Sequence, residues 1–149
     1  MKPARRPAGD MPAQQVARFQ ALFRDLRRDN LHMLEDVYAP EILFEDPLHR
    51  VMGLAALKDY FGRLYDGVES IDFEFGAVLG SHDQAMLTWQ MRMTHRRLRA
   101  GKELILAGAS HIRFGARVHY HRDYFDAGAL LYERIPLLGG IVRAIRGRV

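Results

Sequence analysis

The apolar residues of this chain change their spacing near Gly67, and that change restricts the fold more than any other feature. Before it they recur every three or four positions, as in Val16, Phe19, Leu22, Phe23 and Leu26, and again in Leu54, Leu57, Tyr60, Phe61 and Leu64. After it they alternate, with Ile71, Phe73 and Phe75 interleaved by Asp72 and Glu74. The first spacing lines one stripe of a helix, the second one face of a strand. Helices first and long strands afterwards predict an α+β domain, a curved antiparallel sheet wrapped around the N-terminal helices with a cavity inside.

Local punctuation predicts the boundaries. Pro12 suits the first turn of a helix capped by Asp10, which runs to about Asp29-Asn30. A short second helix carries Leu31, Leu34, Val37 and Tyr38 and stops before Pro40, because the residue preceding proline avoids helical geometry. Ile42 to Asp46 reads as a short strand broken by Pro47, and Gly67 closes the third helix. Long strands from about Gln84 to Arg96 and from Glu103 to Phe114 flank a turn near Ala100-Gly101. Gly115 then turns the chain into a last strand, HYHRDYFD, from His119 to Asp126.

At 149 residues the chain suits one domain. Residues 1–11 read as a loose basic arm, 12–134 as the domain and 135–149 as a basic apolar segment packed on the domain or a dimer seam. The net charge of +4 comes with arginines gathered at the two ends, at Arg5, Arg6, Arg18, Arg24, Arg27 and Arg28 and at Arg143, Arg146 and Arg148. Basic ends on a domain of mixed charge argue against a nucleic-acid partner. The N-terminal MKPARRPAGDMP lacks the apolar run of a signal or anchor, and no later stretch is long enough to span a membrane, so a cytoplasmic protein is expected. With no cysteine, disulfides, thiolate metal sites and cysteine nucleophiles are excluded. Chemistry must fall to His, Asp, Glu, Tyr, Ser, Thr or Arg.

Two local motifs narrow the candidates. YAPEILFEDP, Tyr38 to Pro47, resembles the segment of ketosteroid isomerases in which an aspartate before proline is the general base, and Asp46 falls on that position. HRDYFD, His121 to Asp126, resembles the last strand of limonene epoxide hydrolases, where the aspartate at the Asp123 position activates water. Together with the element order from Val16 to Tyr132, they resemble the SnoaL-like, nuclear-transport-factor-two-like superfamily and its cone-shaped fold. The resemblance implies that Phe44 and Asp46 point into the cone from the first strand, and His119, His121, Asp123 and Phe125 from the last. It further implies cavity walls made of Met86, Thr88, Gln90 and Arg92 from one long strand and Ser110, Ile112 and Phe114 from its neighbour. Trp89, Met91, Met93 and His111 then fall on the outer face. Monomers seldom expose such a row, so a homodimer through that face is expected, the alternative cover being the C-terminal segment.

Several family groups are missing at the matched positions. The tyrosine of the steroid-isomerase oxyanion site falls near Leu22 and its carboxylic acid near Ser110. The epoxide-hydrolase tyrosine and asparagine fall on Phe44 and Asp46, and its second aspartate near Gln90 with Thr88 or Arg92 beside it. Neither reaction proper is expected. What remains is a carboxylate pair, Asp46 and Asp123, with His121 close by. Across an apolar cavity such a pair suits acid–base work, in an isomerase, cyclase or hydrolase without cofactor acting on a small, largely apolar molecule. The alternative is a non-catalytic ligand-binding or interaction module, with Asp46 merely capping the turn at Pro47. His119, His121 and Asp123 also form a His-x-His-x-Asp row, but residues two apart on a strand stand roughly 6.5 to 7 Å apart, which suits one metal ion poorly, and no metal is expected. The tail RIPLLGGIVRAIRGRV admits a membrane-surface contact, with packing on the protein the favoured reading.

Overall fold

The computed structural model describes residues 10–97 and 102–128. The turn near Ala100-Gly101, the segment 135–149 and nearly all of the N-terminal arm lie outside the described residues.

Helix α1 spans Asp10–Asp25 and buries Phe19, Leu22 and Phe23, with Leu26 just beyond its end on the same side. It stops about four residues earlier than the apolar spacing suggests. Arg27 is extended at φ −139° and ψ 170°, and the Asn30 side chain accepts the Arg27 N–H at 2.6 Å while donating to the Asp25 carbonyl at 2.8 Å. An asparagine that satisfies both sides of the break holds the helix end in place. The expected second helix is a 3₁₀ turn over Arg28–Met33 followed by a short α2, Leu34–Val37.

Strand β1, Tyr38–Glu45, begins before Pro40 rather than after it. Proline has no N–H to give a ladder, and the pairing with the last strand is irregular between Tyr38 and Leu43, the interval that contains it. A short β2, Arg50–Met52, not anticipated from the sequence, pairs back on β1. Helix α3, Leu54–Leu64, buries Leu57, Tyr60 and Phe61, and Gly67 follows it at φ +87°. Three long strands come next, β3 Val68–Gly80, β4 Gln84–His95 and β5 Leu104–Phe114, and then β6, Val118–Phe125.

The six strands form one sheet in the order β2-β1-β6-β5-β4-β3. Every pairing is antiparallel except β1 with β6, which is parallel, so the sheet is mixed where a wholly antiparallel one was expected. This α+β sheet curves around the helices, and the core lies between them. Gln15 ties α1 to the far edge of that core, donating to the carbonyls of Gly115 and Ala116 at 3.2 and 2.8 Å. Among the described residues no helix is long and apolar enough to cross a membrane.

Candidate active site

The β4 alternation decides which face is inside. Ala85, Leu87, Trp89 and Met93 are buried, Met91 is half-buried against them, and Met93, Met91 and Trp89 pair with Ile71, Phe73 and Phe75 of β3. Met86, Thr88 and Arg92 are exposed, and Gln90, on the same row, also faces outward. The expected cavity wall of Met86, Thr88, Gln90 and Arg92 is therefore corrected: these residues face away from the cone, where Arg92 pairs with Glu103 and Thr88 accepts the Ala77 N–H. The same correction takes Trp89, Met91 and Met93 off the outer face, so they cannot form the expected subunit contact. Only His111 of that set lies outside, hydrogen-bonded to Gln84, with burial and the neighbouring Arg113 lowering its pKa. A strand's faces are exchanged by a one-residue shift, and the apolar set takes the buried face.

The resulting cavity has a volume of about 130 Å³ and lies between α1, α3 and the inner face of the sheet. Phe44, Asp46, Ser110, His121, Asp123 and Phe125 line it as expected. Ile112 and Phe114 point inward too, but they are packed in the core and form no part of the cavity wall. His119 does not join the row. Opposite β5, the span from Val118 to Tyr120 faces the single step from Phe114 to Arg113, a bulge that lets Val118 and His121 both turn inward and leaves His119 exposed. The His-x-His-x-Asp row is thereby broken, and His119 borders an outer groove with Arg18, Asp36 and Glu41.

His121 sits 1% exposed inside an aromatic box. Phe19, Phe23 and Phe44 meet its ring edge-on at centroid distances of 5.0, 5.9 and 4.9 Å, and the Tyr38 ring lies nearly parallel to it. Its two nitrogens are both used. The Tyr38 hydroxyl is 2.7 Å from Nδ1, and Nε2 is 2.6 Å from Asp123 Oδ1. A carboxylate only accepts, so Nε2 carries the proton, and in the neutral ring Nδ1 then accepts from the Tyr38 O–H. Burial first, and the Asp123 charge second, raise the Tyr38 pKa well above the phenol range, so that hydroxyl keeps its proton.

A second line of donors reaches the same oxygen from β5. Trp89 Nε1 donates to Ser110 Oγ at 2.9 Å, and Ser110 donates onward to Asp123 Oδ1 at 2.5 Å. Register explains the alignment, since Ser110 is paired with Asp123, and Trp89 with Gly108. Gly108 is required there: a Cβ on it would stand 2.4 Å from the Trp89 ring. Asp123 thus receives two donors on Oδ1, while Oδ2 has no hydrogen-bond partner among the described residues.

Asp46 is held differently. The backbone N–H groups of Leu48 and His49 donate to its Oδ1 at 2.8 and 2.7 Å, and the Tyr60 hydroxyl donates to its Oδ2. The His49 ring stacks on Tyr60 at 5.2 Å. Burial and the adjacent Asp46 charge push the Tyr60 pKa upward. Asp46 caps the turn at Pro47 and lines the same cavity as Asp123, but no side-chain hydrogen bond joins the two carboxylates among the described residues. Neither forms a salt bridge with an arginine there.

The tyrosines were underread in the sequence. Tyr38 orients His121, while Tyr60 shares the buried side of α3 with Leu57 and Phe61, and Tyr65 is buried just past its end. A hydroxyl placed repeatedly on a buried helical face is the signal that could have found them. His95, at the cavity's other end, is satisfied by the backbone: Nε2 contacts the Asp66 carbonyl at 2.9 Å, and Nδ1 accepts the Arg97 N–H at 3.1 Å.

Fold and site define a class, a cone-shaped α+β domain enclosing an apolar cavity with ionisable groups in its wall. Within that class the chain belongs to the SnoaL-like family, whose domain model matches residues 19–118. No curated protein matches it in sequence. Among solved structures it is similar to a protein from Jannaschia sp. CCS1 assigned as a SnoaL-like polyketide cyclase, at 13% identity over 89% of this chain and 96% of that one, with a TM-score of 0.70. It is also similar to TerC co-crystallised with polyporic acid, at 13% identity over 81% and 95% and a TM-score of 0.69. A third is a protein with a ketosteroid isomerase-like fold from Catenulispora acidiphila DSM 44928, in complex with trimethylamine, at 13% identity over 80% and 91% and a TM-score of 0.69. At such identities the likeness shows the fold alone.

Proposed function

We propose that this protein is an acid–base enzyme of the isomerase or cyclase type that acts on a small, largely apolar molecule, with Asp123 as the group that exchanges a proton with it. The observation that carries this reading is the unequal use of the Asp123 oxygens. Oδ1 takes both donors, Oδ2 has no hydrogen-bond partner among the described residues, and Asp123 lines an apolar cavity. A proton gained on Oδ2 leaves both hydrogen bonds to Oδ1 intact, so the carboxyl can cycle without rearranging its supports. In the simplest step the C–H bond beside a substrate carbonyl breaks, its proton passes to Oδ2 and its electron pair moves onto the carbonyl oxygen. Return of the proton at another carbon completes an isomerisation, and attack of the carbanion on a second carbonyl, whose oxygen takes the proton back from Oδ2, completes a cyclisation. His121 is a positioning residue held by Tyr38, and Asp46 shapes the wall.

The test is deuterium incorporation into cyclic and aryl ketones in D2O, followed by proton NMR. Wild-type protein should accelerate exchange at carbons beside the carbonyl, and Asp123→Asn should abolish the acceleration. If no ketone exchanges faster with wild-type protein than with Asp123→Asn, the enzyme reading is lost and a ligand carrier takes its place.

A further inference from the structure

We infer that Tyr65 is the specificity-determining hydroxyl of the cavity, reading an acceptor oxygen carried by a one-ring ligand. Tyr65 lies just past the end of α3, is 6% exposed and lines the cavity. Its hydroxyl is the buried side-chain polar atom that has no hydrogen-bond partner among the described residues. Native proteins rarely leave such a group unpaired, because an unmet buried donor loses its hydration with nothing in return. The other donors in the wall are taken: Tyr60 by Asp46, Trp89 by Ser110, Ser110 and His121 by Asp123. Two polar atoms are then left for a ligand, the Tyr65 O–H as donor and Asp123 Oδ2 as acceptor. Burial raises the Tyr65 pKa above the phenol range, which keeps the hydroxyl protonated as a donor.

The volume limits the ligand. A cavity of about 130 Å³ is comparable to an apolar cavity of about 150 Å³ that takes up benzene. The fit is one aromatic or alicyclic ring bearing a carbonyl or similar acceptor. The inference rests on reading this cavity as a ligand site, and it does not require proton transfer at Asp123.

Acetophenone and ethylbenzene have nearly the same shape and differ in the acceptor oxygen. Trp89 is the single tryptophan of the chain and lies in the cavity wall, so its indole N–H resonance reports binding of either. Tyr65→Phe should weaken acetophenone about fivefold or more and leave ethylbenzene within about twofold, the size of one lost hydrogen bond. Equal changes for both compounds, an unchanged acetophenone affinity, or no binding of either to wild-type protein would each overturn the inference. Tyr65→Phe should melt no lower than wild type, which separates lost recognition from lost folding. If the acetophenone selectivity holds while wild-type protein catalyses no exchange, the acid–base reading fails and the role of Tyr65 stands.

Discussion

Two carboxylates line one cavity, and their surroundings assign them different work. Asp46 takes its donors from neighbours in sequence, the N–H groups of Leu48 and His49, and from Tyr60 on the adjoining helix. Its partners occupy both oxygens. Asp123 takes its donors from His121 on its own strand and from Ser110 across the ladder, each backed by a buried aromatic, Tyr38 or Trp89. Those partners crowd one oxygen and spare the other. A carboxylate bound on both sides holds a turn, and one bound on a single side keeps an oxygen free to take a proton.

The comparison can be broken at several points. The largest effect is expected at Asp123, where Asn should lower ketone exchange by about 100-fold or more, while Asp46→Asn stays within about threefold. Comparable losses from both replacements would erase the distinction. Gly108→Ala should come next, costing about 1 to 3 kcal/mol in urea denaturation because the Trp89 ring must leave its seat over the backbone. The indole resonance should also move as its bond to Ser110 is lost. Asp46→Ala should cost about 1 to 3 kcal/mol through the freed turn and the orphaned Tyr60 hydroxyl. A neutral result there would deny Asp46 even its structural part.

At neutral pH the tyrosine replacements should show the smallest effect, and they separate only at alkaline pH. Burial raises Tyr38, Tyr60 and Tyr65 above the usual phenol value of 10.0. Above that pH the unfolded chain releases these protons and the folded chain keeps them, so the folded state binds more protons and stability falls as pH rises. The stabilisation is complete below about pH 10, and each phenol then removes about 1.4 kcal/mol per pH unit. Urea midpoints across this range should lose one phenol's share of that slope in Tyr65→Phe with no loss at neutral pH. Tyr60→Phe should lose the same share and weaken the Asp46 corner as well.

The fold was largely legible because period and punctuation are local. The ends of β4 and β5 fall within about a residue of where the alternation and turn signals put them. What misled was the transfer of catalytic positions onto β4. The odd-numbered residues there are Ala85, Leu87, Trp89, Met91 and Met93, an apolar set that alternation alone would bury. Placing Gln90 at an enzyme's carboxylate position turned that row outward. The inward face of β6 was read correctly at His121, Asp123 and Phe125, and wrongly at His119, because a bulge depends on the partner strand's register and leaves no mark in its own sequence. The role of Tyr38 was hidden for a similar reason, since its partner lies 83 residues away.

The parallel seam between β1 and β6 has a kinetic consequence. The strands β3 to β6 pair with their sequence neighbours, whereas the β2-β1 pair must await β6, the last strand among the described residues, to join the sheet. Contacts so distant in sequence carry the greatest loop-closure cost and tend to form late. The Tyr38–His121 hydrogen bond spans this seam, so the meander should acquire hydrogen-exchange protection during refolding before that pair is joined. A chain halted at that stage would hold most of its sheet and the Trp89–Ser110–Asp123 line, but not the Tyr38 bond that orients His121.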